Sequence, residues 1–395
     1  MASKTSTLRV TGTPDRKKGV NNISTQSIKI LREIESMSDN ETDNETENTS
    51  DNEFDFIDAY DDVPVASDDL LPENAAPSAI NVGFIGVGGG GGKLAKAFID
   101  CGFTQTLLVN TTEKDQPNDL DPIHLVLVPG ADGVGKDVKL GERILSENST
   151  MVEDAVRNRI GDVDWLFVLA GGGGGTGSAS YALRGALSRY LKSNESSGQV
   201  VYIVSRPTAQ ELLNPTISTN YDTLIAEVAN EPHIIIDNER QLNLLRGKVG
   251  MLGLYPVANK NFAKMISQVL KLASEPSAIQ TFDSKDLERC LSQSGRMVIG
   301  TSIVRDVDAF DLGSKVLTGC LRSSPCPSFV SDPKVGVLLL LLNTETAGDP
   351  VASKRLEAAF SYVGGRTKTL LSGVYVKENL PGVIAIVMFG GISES

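Results

Sequence analysis

INVGFIG (Ile80–Gly86) runs straight into GVGGGGGKLAKAF, and DWLFVLA (Asp164–Ala170) runs straight into GGGGGTGSASYALRGAL. Each is a short apolar run, then a glycine cluster, then a helical pattern. The two clusters hold 12 of the 38 glycines, so they mark places where backbone must be exposed or closely approached. A glycine-rich turn between strand and helix admits a phosphate with no Cβ in the way, and the helix start supplies unpaired N–H donors and a partial positive charge. One such turn is weak evidence, but two in one α/β sheet point to a polyphosphate gripped from two sides.

Two other phosphate folds can be tested on the same residues. A Walker-type loop needs a glycine five residues before its Gly-Lys pair and a Ser or Thr after it. Around Gly92-Lys93 those positions are Val87 and Leu94, which excludes it. Gly86, Gly88 and Gly91 do satisfy the dinucleotide pattern GxGxxG. That fold also wants an acid near the end of the second strand to hold a ribose hydroxyl, where this chain has Asn110, and it gives no reason for the second cluster.

Outward from the clusters, short apolar runs alternate with helical stretches, as in a mostly parallel α/β sheet. Further strands are expected at Thr106–Asn110, His124–Val128, Val200–Ser205 and His233–Asp237. A long amphipathic helix is expected from Pro256 to Ser274, with Ala258, Phe262, Met265, Ile266, Val269, Leu270 and Ala273 on one face and Pro276 preventing its continuation. Beyond it RMVIGTSIV, KVGVLLLLLN, TLLSGVYV and GVIAIVMFGG read as strands, with one helix across Ala352–Tyr362. The fold class is therefore α/β, with a Rossmann-like parallel-sheet domain at 80–254, a joining helix at 255–275 and a smaller α+β domain at 276–395.

Residues 1–79 read as a disordered arm. Met37–Glu73 holds 14 acids and no base, too polar to offset the entropy of ordering, while Phe54, Phe56, Ile57 and Tyr60 among them could dock on an adaptor. Gln26–Met37 has the spacing of a short helix. Most of the net charge of −13 lies in this arm, so the body, from Asn74, with 30 bases against 33 acids, carries no dominant nucleic-acid footprint. Four cysteines without paired metal spacing read as reduced cytosolic thiols, and two histidines make His-based catalysis or a multi-His metal site a poor fit. No apolar run reaches the about 18 residues of a membrane span, and the start lacks a signal-peptide core, so a cytoplasmic protein without membrane insertion is expected.

Gly173-Gly174-Gly175-Thr176-Gly177-Ser178-Ala179 resembles the GGGTGTG signature of the tubulin/FtsZ superfamily, closer to FtsZ, with Ala179 departing from the usual last glycine. The resemblance covers roughly Ile80–Gly391. It implies a GTP/GDP and Mg2+ site in which Gly88, Gly89, Gly90, Gly91 and Gly92 form the first loop and Gly173–Ser178 the second. Lys93 either adds a charge near the phosphates or points to solvent. Asn110 and Thr111 match the second-strand loop, and Pro129–Gly135 the loop that senses the terminal phosphate, with the backbone N–H groups of Ala131, Asp132 and Gly133 as its donors. Asn238 matches the base-contacting Asn, Asn259 is a second base contact, Tyr255 would stack on the ring and Glu211 would touch the ribose.

Thr281-Phe282-Asp283-Ser284-Lys285-Asp286-Leu287 resembles the loop that completes the active site of the next subunit, with Asp283 and Asp286 as the catalytic acids and no metal ligands assigned. Read without the resemblance, Asp283 is an N-cap and Phe282 with Leu287 a hydrophobic staple; the roles are compatible. The resemblance thus implies a cytoplasmic GTPase that polymerises head to tail with itself, touching nucleic acid at most indirectly. Because the chain stops at MFGGISES, without the family's adaptor-binding tail, a divergent phage- or plasmid-encoded member is expected. A tubulin-fold protein with little hydrolysis, favoured by Ala179, Lys93 and Thr281, and a dinucleotide-dependent oxidoreductase are the alternatives.

Overall fold

The computed structural model describes residues 78–307, 309–378, 380 and 382–393. The acidic arm up to residue 77, with the helix expected at Gln26–Met37 and the apolar residues Phe54, Phe56, Ile57 and Tyr60, lies outside the described residues.

The first half runs β1 (Val82–Val87), α1 (Gly88–Asp100), β2 (Thr106–Asn110), β3 (Leu125–Leu127), α2 (Val138–Glu147), β4 (Trp165–Gly171), α3 (Gly175–Ser178), β5 (Val200–Arg206), α4 (Pro215–Val228), β6 (Pro232–Asp237) and α5 (Asn238–Leu245). The long helix α6 (Leu254–Leu272) follows, then α7 (Ser284–Leu291), β7 (Gly295–Val304), α8 (Leu312–Ser323), β8 (Val335–Leu342), α9 (Pro350–Gly364), β9 (Thr369–Val376) and β10 (Val383–Ile392). α6 begins two residues before the expected Pro256, which sits in the first turn, where its missing N–H would have no helical acceptor.

All ten strands form one sheet in the order β3-β2-β1-β4-β5-β6-β7-β10-β8-β9. From β3 to β7 neighbours are parallel; β10 is antiparallel to both β7 and β8, and β9 is parallel to β8. The strands beyond α6 extend the first sheet through β6 and β7, paired over Pro232–Ile234 and Gly295–Met297.

Side chains alternate across the sheet as strand geometry demands. On one face Phe84, Phe167 and Leu169 meet α1 and α6, with the Phe84 and Phe98 rings stacked 4.1 Å apart and Phe98 edge-on to Phe262 at 6.5 Å. All seven residues expected on the apolar face of α6 are buried, and all but Ala258 lie in a cluster that continues into β7, β8 and β10. On the other face Ile85, Val168 and Tyr202 pack with Ile144 of α2 and Leu224 of α4.

The sequence reading lacks α8, which buries Leu312, Val316, Leu317 and Cys320. Its helical signal is diluted by Gly313 and Gly319, poor helix formers. Packing requires them: a Cβ on Gly313 would lie 3.0 Å from Ala359 Cα of α9, and one on Gly319 2.9 Å from Ser302 Cβ of β7. Among the described residues no helix is long and apolar enough to cross a membrane.

The parallel strands give the sheet two chemically different edges. The glycine clusters follow β1 and β4 at the carboxyl edge, whereas α7 leads into β7 at the amino edge, where the Gln199 amide donates to the Leu291 carbonyl at 3.5 Å.

Candidate functional site

The two glycine turns stand back to back. Gly88 opens α1 with φ +70°, and a Cβ there would lie 2.8 Å from the Gly177 nitrogen; one on Gly90 would lie 3.3 Å from Gly171 Cα. α1 begins after Val87 with no side-chain cap and no acid in its first turn, and α3 begins the same way after Gly174. Uncapped helix-start N–H groups at a bare backbone surface suit an anion.

Around these turns lies an open cleft of about 490 Å³ along the carboxyl edge of the sheet. Of the residues expected in a ligand site, Gly88, Gly89, Gly90, Lys93, Asn110, Gly133, Gly173, Gly174, Gly175, Thr176, Gly177, Glu211, Asn238, Tyr255 and Asn259 line it. Five lie elsewhere. Gly91 and Gly92 turn inward: a Cβ on Gly91 would lie 2.1 Å from the Leu169 carbonyl oxygen and one on Gly92 3.3 Å from Leu108. Ser178 is buried behind the turn, and Ala131 packs against the core. Asp132 turns outward to Lys114, 2.5 Å away, and accepts from Thr112 Oγ1 at 2.9 Å; these hydrogen bonds, Lys114's foremost, hold its carboxyl below the ordinary carboxylate range. Ala179 is also fully buried, facing Gly141, so the departure in the signature is absorbed by packing against α2.

The reading from sequence missed Thr112, Asp115, Lys136, Ser205 and Ile217, which also line the cleft. Asp115 leans on the first glycine turn, its Cβ 2.9 Å from where a Cβ on Gly89 would stand. Both charged residues sit in irregular loops without periodicity, so only their neighbourhood to glycine and proline could have flagged them.

Hydrogen bonds fix the walls. The Asn110 side chain accepts from Thr111 N at 2.9 Å, and the Thr111 and Thr176 hydroxyls meet at 3.0 Å, joining the second-strand loop to the second glycine turn. Opposite, Asp237 caps α5 by accepting from Arg240 N and also from Arg206 Nη1 at 2.7 Å, which sets Asn238 as the first residue of α5 in the cleft. Glu211 and Thr208 form a reciprocal capping box, so the Glu211 carboxylate already has backbone and hydroxyl donors. Burial, then Glu211 and Glu239, push the Tyr255 phenol up, keeping it protonated.

Asp283 and Asp286 are not in the cleft. Asp283 caps α7, accepting from Lys285 N at 2.9 Å and Asp286 N at 3.0 Å, with Phe282 and Leu287 buried beneath as a staple. The Tyr375 hydroxyl anchors the loop: it accepts from Phe282 N at 3.1 Å and can donate to Leu272 O at 2.8 Å or Phe282 O at 3.1 Å. Burial, then the Asp283 charge, raise the Asp286 carboxyl. Lys285 is within electrostatic reach of Asp164, the residue before β4, whereas the cleft begins at the far end of that strand. A strand of that length separates acids and cleft by roughly 20 Å. Among the described residues no group of three or more His, Cys, Asp or Glu could hold a metal ion by itself.

A mainly parallel sheet with two glycine turns at its carboxyl edge and a long helix joining a mixed half defines a tubulin-fold protein. The solved structure of CetZ2 from Haloferax volcanii, described as a GTPgS-bound protofilament, superposes with a TM-score of 0.65 at 22% identity, over 80% of this chain and 94% of that one. Tubulin-like protein CetZ of Pyrococcus abyssi is 28% identical over 219 residues, which span 53% of this chain and 58% of the relative, under two thirds of its length. Cell division protein FtsZ of Buchnera aphidicola is 22% identical over 290 residues, 71% of this chain and 73% of that one. No protein-family model matches the chain. The chain thus has the tubulin/FtsZ fold and is similar in sequence to these relatives.

Proposed function

We propose that this protein binds GTP in the glycine-walled cleft, polymerises head to tail with itself, and hydrolyses the nucleotide at the joint between copies. The observation that carries the reading is the placement of the cleft and of Asp283 with Asp286 at opposite edges of one sheet. In a single copy the acids cannot reach a ligand in the cleft; stacking one copy's amino edge on the next copy's carboxyl edge brings them to it. Such a contact is heterologous and does not close, so it propagates as a filament. The relative solved as a GTPgS-bound protofilament supports both the ligand and the assembly.

Asn238 and Asn259 offer amide groups to the edge of the base, and Tyr255 offers its ring as a stacking face. Gly88–Gly90 and Gly173–Gly177 offer backbone N–H groups to the phosphates, with Lys93 adding charge. Of the next copy's acids, Asp283 caps α7 through Oδ1 and, with Asp286, orders the attacking water, whose proton Asp286 takes. Positioning and charge neutralisation are what phosphoryl transfer chiefly requires, so no histidine is needed. Mg2+ typically takes one or two carboxylates together with phosphate oxygens and water, which fits Asp115 beside the first glycine turn; it would neutralise phosphate charge there. In this reading residues 80–254 hold the nucleotide, the joining helix at 255–275 links the halves, and 276–395 supply the acids.

The test is the pair Asp283→Asn and Asp286→Asn. Both should bind GTP like the unaltered protein, release phosphate at least about a hundredfold more slowly and form longer-lived filaments. Normal turnover by both variants would sink the assignment.

A further inference from the structure

We infer that residues 51–62 of the acidic arm, DNEFDFIDAYDD, dock in an apolar groove of their own chain, against α8, β7 and β10. The groove is separate from the nucleotide cleft. Val298 of β7, Phe389 of β10 and Leu317 and Leu321 of α8 line it, with Pro327 and Phe329 from the loop that follows α8. The Phe329 and Phe389 rings are 5.5 Å apart, so a further ring can join an aromatic pair already present. Charges at the rim fit an acidic partner: Arg240 and Arg366 line the groove against one acid, Asp332. Lys334 and Lys368 are exposed beside it, Lys334 following the lining Pro333 and Lys368 N donating to Pro333 O at 3.3 Å. The Arg240 guanidinium is committed to Leu321 O at 2.6 Å and Ser324 O at 2.7 Å, which holds the wall of the groove in place. Arg366 is different. Its Nη2 donates to the Tyr362 hydroxyl at 3.0 Å, but its Nε is buried with no hydrogen-bond partner among the described residues. A buried donor left unpaired is costly, and a carboxylate that reaches it removes the cost.

The rest of the chain supplies the occupant. Residues 51–62 carry six acids and no base, with Phe54, Phe56, Ile57 and Tyr60 set among them, so they offer rings to the floor and carboxylates to the rim. The arm joins the described residues at Ser78, and Ala79 N donates to Leu270 O at 3.0 Å, which fixes its point of departure near the end of α6. From Tyr60 to Ser78 the chain can span up to about 60 Å, whereas the strand spacings from β1 to β10 sum to about 24 Å. A tether of this reach keeps the segment at a local concentration on the order of millimolar, above that of any other copy's arm, so the groove is filled from its own chain.

The experiment uses the full chain without nucleotide, and a fluorescent synthetic peptide of residues 51–62 as the probe. In the triple variant Phe54→Ala, Phe56→Ala and Tyr60→Ala the arm lacks its anchors, and the peptide should bind saturably. The unaltered chain should bind the peptide at least about tenfold more weakly, because its own arm holds the groove. Adding Arg366→Glu or Lys368→Glu to the triple variant should weaken peptide binding about tenfold; Lys368 is exposed, so its reversal keeps the test decisive if Arg366→Glu disturbs folding. Equal binding to the unaltered chain and the triple variant, no saturable binding to the triple variant, or binding indifferent to both charge reversals overturns the inference. A peptide that binds the unaltered chain only by splitting it into smaller species would place the arm in a neighbour's groove, which overturns it as well.

Discussion

At Asp286 burial and the adjacent Asp283 charge both favour the protonated acid, and the sign of the consequence differs for stability and for turnover. A carboxyl whose folded pKa is raised opposes folding once it ionises, so its contribution becomes unfavourable as pH rises through that pKa. Asp286→Asn should therefore melt no lower than the unaltered protein at neutral pH. Turnover needs the ionised form, so its acid limb should lie above the ordinary aspartate value of about 3.9, and added salt should shift it down by screening Asp283. An acid limb at or below that value would remove Asp286 from the proton-accepting role. The cap role of Asp283 was legible in the sequence because a cap is a local pattern, whereas its proposed role as an active-site acid came from the resemblance. Lys136 and Asp115 were not legible, because nothing in residues 111–137 other than three-dimensional closure brings them to the glycine turns.

Among the elements, the loop between α6 and α7 is fixed by one hydroxyl. Tyr375→Phe removes the Tyr375 bonds to Phe282 and Leu272 and leaves buried backbone groups without that partner, a cost of about 1–3 kcal/mol. It should slow hydrolysis while leaving nucleotide affinity unchanged, since the cleft lies at the other edge; a loss of affinity instead would show that the loop does not act separately. The helix α1 depends on close approach at Gly91, where Gly91→Ala drives a methyl into the Leu169 carbonyl and should lower stability by about 2 kcal/mol or more in thermal unfolding. Most strands fell within two residues of their expected limits because buried parallel strands are short apolar runs bounded by turn residues. α8 escaped because the small residues that let it nest against β7 and α9 are the ones that weaken a helical pattern.

Over the whole molecule, one sheet carries both halves of the proposed active site, and the cluster around α6 is continuous from β1 to β10. The sequence suggested a boundary at α6 because helices thin out beyond it, but hydrogen bonding between β6 and β7 cannot be read from pattern alone. Most of the net charge sits outside this body: if the acidic arm is only a spacer, deleting residues 1–75 should leave assembly and its salt dependence unchanged, and an altered salt dependence would give the arm a role in contacts between copies. The central claim, that the site is completed only between copies, is tested most directly by phosphate release from GTP across protein concentrations. The account predicts a rate per molecule near zero at low concentration that rises steeply above a threshold coinciding with filament formation; a rate per molecule that stays constant through that threshold would contradict it.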